Sequence, residues 1–136
     1  VFIDGRTAHL YPPALVERYA AAEHDPALFA ALAAEYDLQW AIVRARPGES
    51  FSEPIARDAK WTMVYLDDCA AVYVRKDGPN GALAAGGYRL MRHLTTPPEG
   101  PILPALRAIL RHDAALAIAQ DPSSLRARAF AAAAGL

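Results

Sequence analysis

Residues 61–75, WTMVYLDDCAAVYVR, decide the fold that we predict for this chain. Residues 61–66 and residues 69–75 are both rich in aromatic and β-branched side chains, which favour strands. The pair Asp67-Asp68 stands between these two runs, where a two-residue turn can join antiparallel strands. The stretch therefore predicts a β-hairpin.

The sequence before the hairpin predicts two more strands. Residues 1–3 (VFI) are a short apolar run, and residues 38–45 (LQWAIVRA) are apolar at nearly every position. A strand that is buried on both faces has such a continuous apolar pattern. Helical stripes lie between the two runs, so we expect a right-handed crossover between parallel strands. The prediction is an α/β domain over residues 1–78, with a small mixed sheet of two parallel strands and a terminal β-hairpin, covered by helices.

Asp25-Pro26 marks the start of the most clearly predicted helix in this domain. Asp is a common helix cap, and Pro is favoured in the first turn because its missing N–H is not needed there. Apolar side chains then recur at helical spacing through Tyr36. A shorter helix is expected to follow the Pro12-Pro13 step.

Residues 76–81 (KDGPNG) contain Gly and Pro residues that interrupt helices and strands, and they separate the predicted α/β domain from the rest of the chain. We expect a helix over residues 83–93, a long helix from Pro104, and a last helix that begins after Asp121-Pro122. Residues 79–136 are therefore predicted to be an all-helical C-terminal extension.

Composition excludes several classes of function. The chain has 136 residues, of which 54% are hydrophobic and 21% charged, so it is not a disordered tail. Its formal net charge of −1 supplies no basic field for nucleic acid, and we expect no nucleic-acid partner. No run reaches the roughly 18 apolar residues of a membrane span, so we expect no direct lipid insertion.

Because the chain starts at Val1, within an expected strand, we expect it to be a fragment of a longer protein.

Asp4, Arg6 and Tyr11 are the candidate binding residues. Asp4-Gly5-Arg6 follows the first predicted strand, and α/β sheets commonly bind ligands at the carboxyl ends of their strands. Gly5 permits a sharp turn, so the two charged side chains could bind a polar ligand. The alternative is that Asp4 and Arg6 pair with each other or cap the next element.

Other reactive residues do not form a recognised site in the sequence. Asp67-Asp68 lacks the converging oxygen ligands of a metal site and is expected to be two solvated turn residues. Cys69 is expected to be a small buried side chain, and the single cysteine excludes a multi-cysteine zinc site. The four His have no metal-ligand spacing, and no phosphate-binding loop is present. We therefore expect no metal, no cofactor and no catalytic residue.

Solvated positions are expected for the arginines of the C-terminal helices, Arg107, Arg111, Arg126 and Arg128.

Four segments together resemble a known kind of domain. They are VFIDGR (1–6), LYPP (10–13), DPALFAALAAEYDLQWAIV (25–43) and WTMVYLDDCAAVYVRKDG (61–78). Their order is similar to that in the extracytoplasmic C-terminal domain of bacterial multi-spanning membrane proteins that are glycosyltransferase-like or of unknown function. These proteins are related in architecture to mannosyltransferases that use lipid-linked sugars. The resemblance covers about residues 1–76, and its motifs are short.

This resemblance implies a role without catalysis. In that superfamily the acidic catalytic residues lie in loops of the membrane region, and none of those loops belongs to this chain. The resemblance therefore implies an accessory domain on the extracytoplasmic (periplasmic) face of the inner membrane, whose partner is the membrane region of its own parent chain.

The C-terminal segment resembles something different. Residues 115–136, ALAIAQDPSSLRARAFAAAAGL, are similar to the second helix of a tetratricopeptide repeat, its Pro and the start of the next helix. Fewer than two repeats fit, so the segment would be a stub or a cap that could bind a protein partner.

Three functions remain open at this point. The first, an accessory domain of a membrane protein, predicts apolar segments of about 20 residues before Val1 in the parent chain. The second, a helical-repeat interaction module, predicts further helix pairs at a period of about 34 residues after Leu136. The third, a small enzyme, predicts a closed pocket at the Asp4-Gly5-Arg6 turn.

Overall fold

The structure, a computed structural model, describes residues 11–44, 52–93 and 96–136, and for residues 52, 53 and 93 it describes the backbone alone. Helices and strands are mixed along the described chain. The helices are α1 (Pro13–Ala22), α2 (Pro26–Glu35), α3 (Ser52–Arg57), α4 (Gly81–Ala85), α5 (Pro104–Gln120) and α6 (Leu125–Ala134); the strands are β1 (Trp40–Arg44), β2 (Trp61–Leu66) and β3 (Ala70–Arg75); and a 3₁₀ turn spans Met91–His93.

β2 and β3 form the predicted hairpin. Met63 pairs with Tyr73, and the register shifts between Met63 and Tyr65, which places a bulge in β2. The turn closes with a 3.0 Å bond from the Asp67 N–H to the Ala70 carbonyl. The prediction from residues 61–75 is confirmed.

The prediction of two parallel strands is wrong. The described strands form one three-stranded sheet in the order β1-β3-β2, and both pairings are antiparallel. β1 and β2 run in the same direction, but the hairpin places β3 between them, so they do not pair. Residues 1–3, the other strand of the predicted parallel pair, lie outside the described residues.

The apolar character of residues 38–45 was misleading because β1 is an edge strand. Trp40 and Ile42 are 50% and 61% exposed, whereas Val43 on the opposite face is buried. A continuous apolar run does not distinguish a strand covered on both faces from an edge strand with an uncovered apolar face.

The inner face of the sheet forms the core with the helices. Val43, Tyr73, Trp61 and Met63 are buried on this face, and the Trp61 ring lies 5.9 Å from the ring of Phe29 in α2. Burial raises the pKa of Tyr73 to about 12, with a smaller opposing effect of the Arg92 charge, so the phenol stays neutral at physiological pH.

The predicted start of α2 is confirmed. The Asp25 carboxylate accepts hydrogen bonds from the N–H groups of Ala27 (2.8 Å) and Leu28 (3.1 Å). These are N–H groups that have no partner within the helix. An exposed ion pair between Arg18 and Glu35 (2.6 Å) connects α2 to α1.

The predicted C-terminal helices are present as α5 and α6, which pack closely against each other. α5 also contacts β2, so the helical pair lies against the sheet. Leu110 and Phe130 belong to the same hydrophobic cluster as Val43 and Trp61.

The helix expected over residues 83–93 is much shorter than predicted. α4 ends at Ala85, and Gly86-Gly87 leads the chain onto β2, where the Tyr88 N–H donates to the Met63 carbonyl (2.8 Å). A Cβ atom at position 87 would lie 2.5 Å from that carbonyl oxygen. The backbone therefore approaches β2 more closely than a residue with a side chain permits.

We expect Gly87→Ala to lower the free energy of unfolding by about 2 kcal/mol, because the added methyl group must push the segment away from β2. Gly86→Ala is the matched control, since the nearest atom to its added Cβ is 3.8 Å away. Urea unfolding followed by circular dichroism measures both variants. Equal stabilities of the two variants would contradict the close approach.

Candidate functional site

Of the three predicted binding residues, the structure describes only Tyr11. Tyr11 lies at a bend before α1 and is half-buried. Asp4 and Arg6 lie outside the described residues, and so does the turn at which the enzyme hypothesis expects a pocket. Binding by these three residues stays a prediction.

Asp67 organises the hairpin turn. Its Oδ1 accepts hydrogen bonds from the N–H groups of Cys69 and Ala70, both at 2.7 Å, and its Oδ2 accepts one from the Tyr65 hydroxyl at 3.1 Å. Partial burial by itself would raise the pKa of Asp67, but these hydrogen bonds outweigh it and lower the pKa below its usual value. The residue therefore has a structural role in the turn.

Asp68 connects the hairpin to the C-terminal helices. Its carboxylate accepts hydrogen bonds from the Arg126 N–H (2.8 Å), the Leu125 N–H (2.9 Å) and the Ser124 hydroxyl (2.8 Å). These groups form the N-terminus of α6, where a carboxylate is favoured by both hydrogen bonding and the helix dipole. Asp68 is an exposed turn residue, as the sequence predicted, and it also caps a helix that begins 56 to 58 positions later in the chain, which the sequence did not predict.

The carboxylate of Asp113 is the most buried acidic group in the described part of the chain. It lies in α5 with no exposed surface, and its Oδ2 accepts hydrogen bonds from the N–H groups of Arg89 (3.0 Å), Leu90 (2.7 Å) and Met91 (2.9 Å). Sequence reasoning missed this residue. The signal was an acidic residue within the apolar stripe of a helix, three positions after Leu110.

A second polar connection joins α5 to the sheet beside Asp113. The Tyr88 hydroxyl donates to Gln120 Oε1 (2.7 Å), and Gln120 Nε2 donates to the Val64 carbonyl (2.8 Å). Burial, followed by the nearby Asp113 charge, raises the pKa of Tyr88 well above its usual value. The phenol is therefore a permanent hydrogen-bond donor in this network at physiological pH.

Arginines of the C-terminal helices bind backbone carbonyls. Arg111 donates to the carbonyls of Ala134 (2.9 Å) and Gly135 (3.0 Å), which lie at the end of α6. Arg128 donates to the Pro122 carbonyl (2.7 Å). The last carbonyls of a helix have no partner within it, and cations are favoured there, which explains the position of Arg111. The Pro122 carbonyl belongs to the connection between α5 and α6. Arg111 and Arg128 are exposed as predicted, and they also stabilise the helical pair.

The remaining chemical candidates are isolated side chains in the described ranges. Cys69 is exposed at the hairpin turn, so the expectation that it is buried is wrong. The described residues contain no cluster of three or more His, Cys, Asp or Glu that could hold a metal ion. No helix in this part of the chain combines the length and the apolar character that a membrane span needs.

Three exposed leucines lie on the half of the helical pair that contains the start of α5 and the end of α6, and we call Leu103, Leu106 and Leu136 the leucine end. These leucines are 69%, 41% and 63% exposed, respectively. The hydrogen bonds from Arg111 bring the end of α6, which Leu136 follows, to the N-terminal half of α5, which contains Leu106. The leucine end is the end of the helical pair opposite to the cap made by Asp68.

A second exposed apolar surface lies on the sheet. We call it the β1 edge, and it consists of the side chains of Trp40 and Ile42 together with their backbone groups on the side of β1 that faces away from β3. Both residues lie on the outer face of the sheet, opposite to the core.

Comparisons with protein-family models, curated proteins and solved structures find no match to this chain.

We expect Asp113→Ala to lower the free energy of unfolding by about 3 kcal/mol, since three backbone N–H groups lose a buried, charged acceptor. Asp113→Asn keeps one acceptor oxygen and is expected to lose about half as much. Glu17→Ala on exposed α1 is the control. Amide hydrogen exchange at residues 89–91 provides a local readout, and unchanged protection there in Asp113→Ala would contradict the assigned contacts.

The Asp68 cap predicts a pH dependence of stability. The helix N–H groups and the Ser124 hydroxyl lower the pKa of this carboxyl. The charged Asp68 carboxylate therefore adds to the free energy of unfolding. This contribution is complete above the unfolded-state pKa, near 4, and is lost as the pH falls through the lower folded-state pKa. We expect Asp68→Asn to have a lower Tm than the parent chain at pH 7 and nearly the same Tm at about pH 2.

Thermal unfolding at several pH values measures this difference, with Glu17→Gln as the control for loss of a surface carboxylate. A Tm difference between Asp68→Asn and the parent chain that stays constant down to about pH 2 would exclude the charged cap.

Proposed function

We propose that this chain is an accessory domain that binds a protein surface on the extracytoplasmic side of a membrane. In this proposal the parent is a membrane-anchored protein of the glycosyltransferase-like kind, and the partner is the parent's own membrane region. The four segments quoted above support the type of parent protein, and exposed apolar side chains support a binding role.

The leucine end is the observation on which the binding role depends. Exposed leucines at one end of a rigid helical pair present an apolar surface that water solvates poorly. The pair is held at its other end by Asp68 and along α5 by Asp113. A surface supported in this way loses little conformational entropy when it binds.

The charged side chains support binding over catalysis. Asp67, Asp68 and Asp113 all accept backbone N–H groups, and Arg111 and Arg128 donate to backbone carbonyls. Each of these groups is thereby committed to holding a turn or a helix end.

A helical-repeat interaction module is the second candidate. α5 and α6 form an antiparallel helical pair in which buried alanines, Ala114, Ala117, Ala127 and Ala131, permit close packing. Repeat arrays stack such pairs through their apolar faces. In that case the leucine end contacts a separate protein.

Site-specific photo-cross-linking in the full-length protein tests the proposal. A photoreactive phenylalanine derivative is placed at position 106 or 136, and at exposed position 17 as the control. We expect positions 106 and 136, but not 17, to give a defined cross-link to the membrane region of the parent, identified by mass spectrometry.

The other outcomes are equally informative. A defined cross-link to a different protein would overturn the membrane-region partner and support the interaction module. Absence of any product specific to positions 106 and 136 would overturn a binding role for the leucine end.

A further inference from the structure

Asn80 is the one asparagine in the chain, and Gly81 follows it directly. In an Asn-Gly step the backbone nitrogen of the glycine can attack the side-chain carbonyl carbon of the asparagine, because glycine has no Cβ atom to obstruct the approach. The attack closes a five-membered ring and expels the amide nitrogen as ammonia. Since the chain has no other asparagine, loss of ammonia through such a ring has one site.

A long hydrogen bond holds the side-chain amide of Asn80. Its Nδ2 donates to the Gln39 carbonyl at 3.5 Å, which is at the weak end of the hydrogen-bond range. The same carbonyl accepts a shorter bond from the Arg75 N–H (3.0 Å). Asn80 stands directly before α4, but its side chain makes no hydrogen bond that caps this helix. Rotation of the amide towards Gly81 therefore costs little.

The backbone around Gly81 must open before the ring can close. At the Asn80 ψ angle of 12°, the Gly81 N–H donates to the Gly78 carbonyl (3.0 Å), and the Ala84 N–H donates to the Asn80 carbonyl (3.1 Å). Ring closure rotates the peptide group between Asn80 and Gly81 and breaks both bonds. α4 has five residues, none of them buried, and so short a helix is marginally stable by itself. Local opening of this segment is therefore much easier than unfolding of the whole chain.

We propose that Asn80 is a site of spontaneous deamidation, and that the reaction detaches α4 from the sheet irreversibly. A bond forms between the Gly81 nitrogen and Asn80 Cγ, the Cγ–Nδ2 bond breaks, and ammonia leaves with the proton of the Gly81 amide. Water then opens the ring. Hydrolysis at Cγ gives aspartate, and hydrolysis at the main-chain carbonyl carbon gives isoaspartate. The reaction consumes one water molecule and needs no oxidant, reductant or enzyme.

The isoaspartyl product cannot form the first turn of α4. Its backbone runs through Cβ and Cγ, and the former main-chain carbonyl of Asn80 becomes a free carboxylate. The Ala84 N–H donates to that carbonyl in the intact chain, so the first hydrogen bond of the helix is lost. α4 contacts both β2 and β3, and we expect these contacts to be released.

The new charge also lies in an unfavourable place. A carboxylate replaces the amide that donates to the Gln39 carbonyl, so an acceptor then faces an acceptor. The neighbouring charges are already paired, since Arg75 binds both Asp37 (3.5 Å) and Asp77 (2.9 Å). The reaction involves no residue of the leucine end, and this inference does not depend on the proposed function.

Mass spectrometry of the folded 136-residue chain, incubated at mildly alkaline pH, measures the reaction. The tryptic peptide 77–89, DGPNGALAAGGYR, contains the site, and a synthetic peptide of this sequence gives the rate without tertiary structure. We expect the amide-to-acid mass increase in the folded chain at a rate at most about 100-fold below that of the synthetic peptide, because the required opening is local. Reaction from the globally unfolded chain alone would be slower by more than about 1,000-fold. A rate below the expected limit would overturn the site.

Asn80→Gln is the matched control. It keeps an amide at this position, but its longer side chain cannot close the five-membered ring. We expect no mass increase in peptide 77–89 of this variant over the same incubation. An increase equal to that of the parent chain would overturn the assignment to Asn80.

NMR chemical shifts of the Cα atoms of residues 82–85 test the structural consequence. In the separated isoaspartyl chain we expect these shifts to move from helical to unstructured values. Asn80→Asp carries the new charge on a normal backbone, and Asp and Asn are equally favoured before a helix, so we expect helical shifts in this variant. Helical shifts in the isoaspartyl chain, or an equal loss in Asn80→Asp, would overturn detachment of α4 by the altered backbone.

Discussion

The buried carboxylate of Asp113 is the constraint on which the second half of the structure depends. A polar group without exposed surface loses its hydration, and hydrogen bonds within the protein must replace it. Here the N–H groups of residues 89–91 converge on Oδ2 of Asp113 and need that oxygen as their acceptor, whereas Oδ1 is buried and has no hydrogen-bond partner among the described residues. The same segment begins with Tyr88, which covers the edge of β2. One residue of α5 thus positions the helical pair, the connecting segment and one edge of the sheet relative to each other.

Hydrogen bonds from backbone N–H groups to Asp carboxylates recur along the described part of the chain. Asp25 caps α2, Asp67 closes the hairpin, and Asp68 caps α6 across a long sequence separation. Each carboxylate satisfies N–H groups that a turn or a helix start would otherwise leave without a partner. These aspartates fix turns, helix starts and the connections between elements.

The two exposed apolar surfaces differ in the partner that suits them. The leucine end offers side chains at the end of a helical pair, where the backbone is largely satisfied within the helices, so shape and apolar contact would decide what binds. The β1 edge offers the side chains of Trp40 and Ile42 on the outer face of a sheet.

The sequence by itself determined the local elements of this protein. The hairpin over residues 61–75, the Asp25 cap and the C-terminal helices follow from propensity and from contacts between near neighbours, so short patterns predict them. The strand order, the antiparallel setting of β1, the close approach at Gly87 and the burial of Asp113 were decided by the tertiary structure. The partners of Asp113 lie 22 to 24 residues away, and β3 lies between β1 and β2 although it follows both of them in the sequence. Such contacts depend on how elements pack in space, and a local pattern such as the apolar run in β1 is compatible with more than one packing.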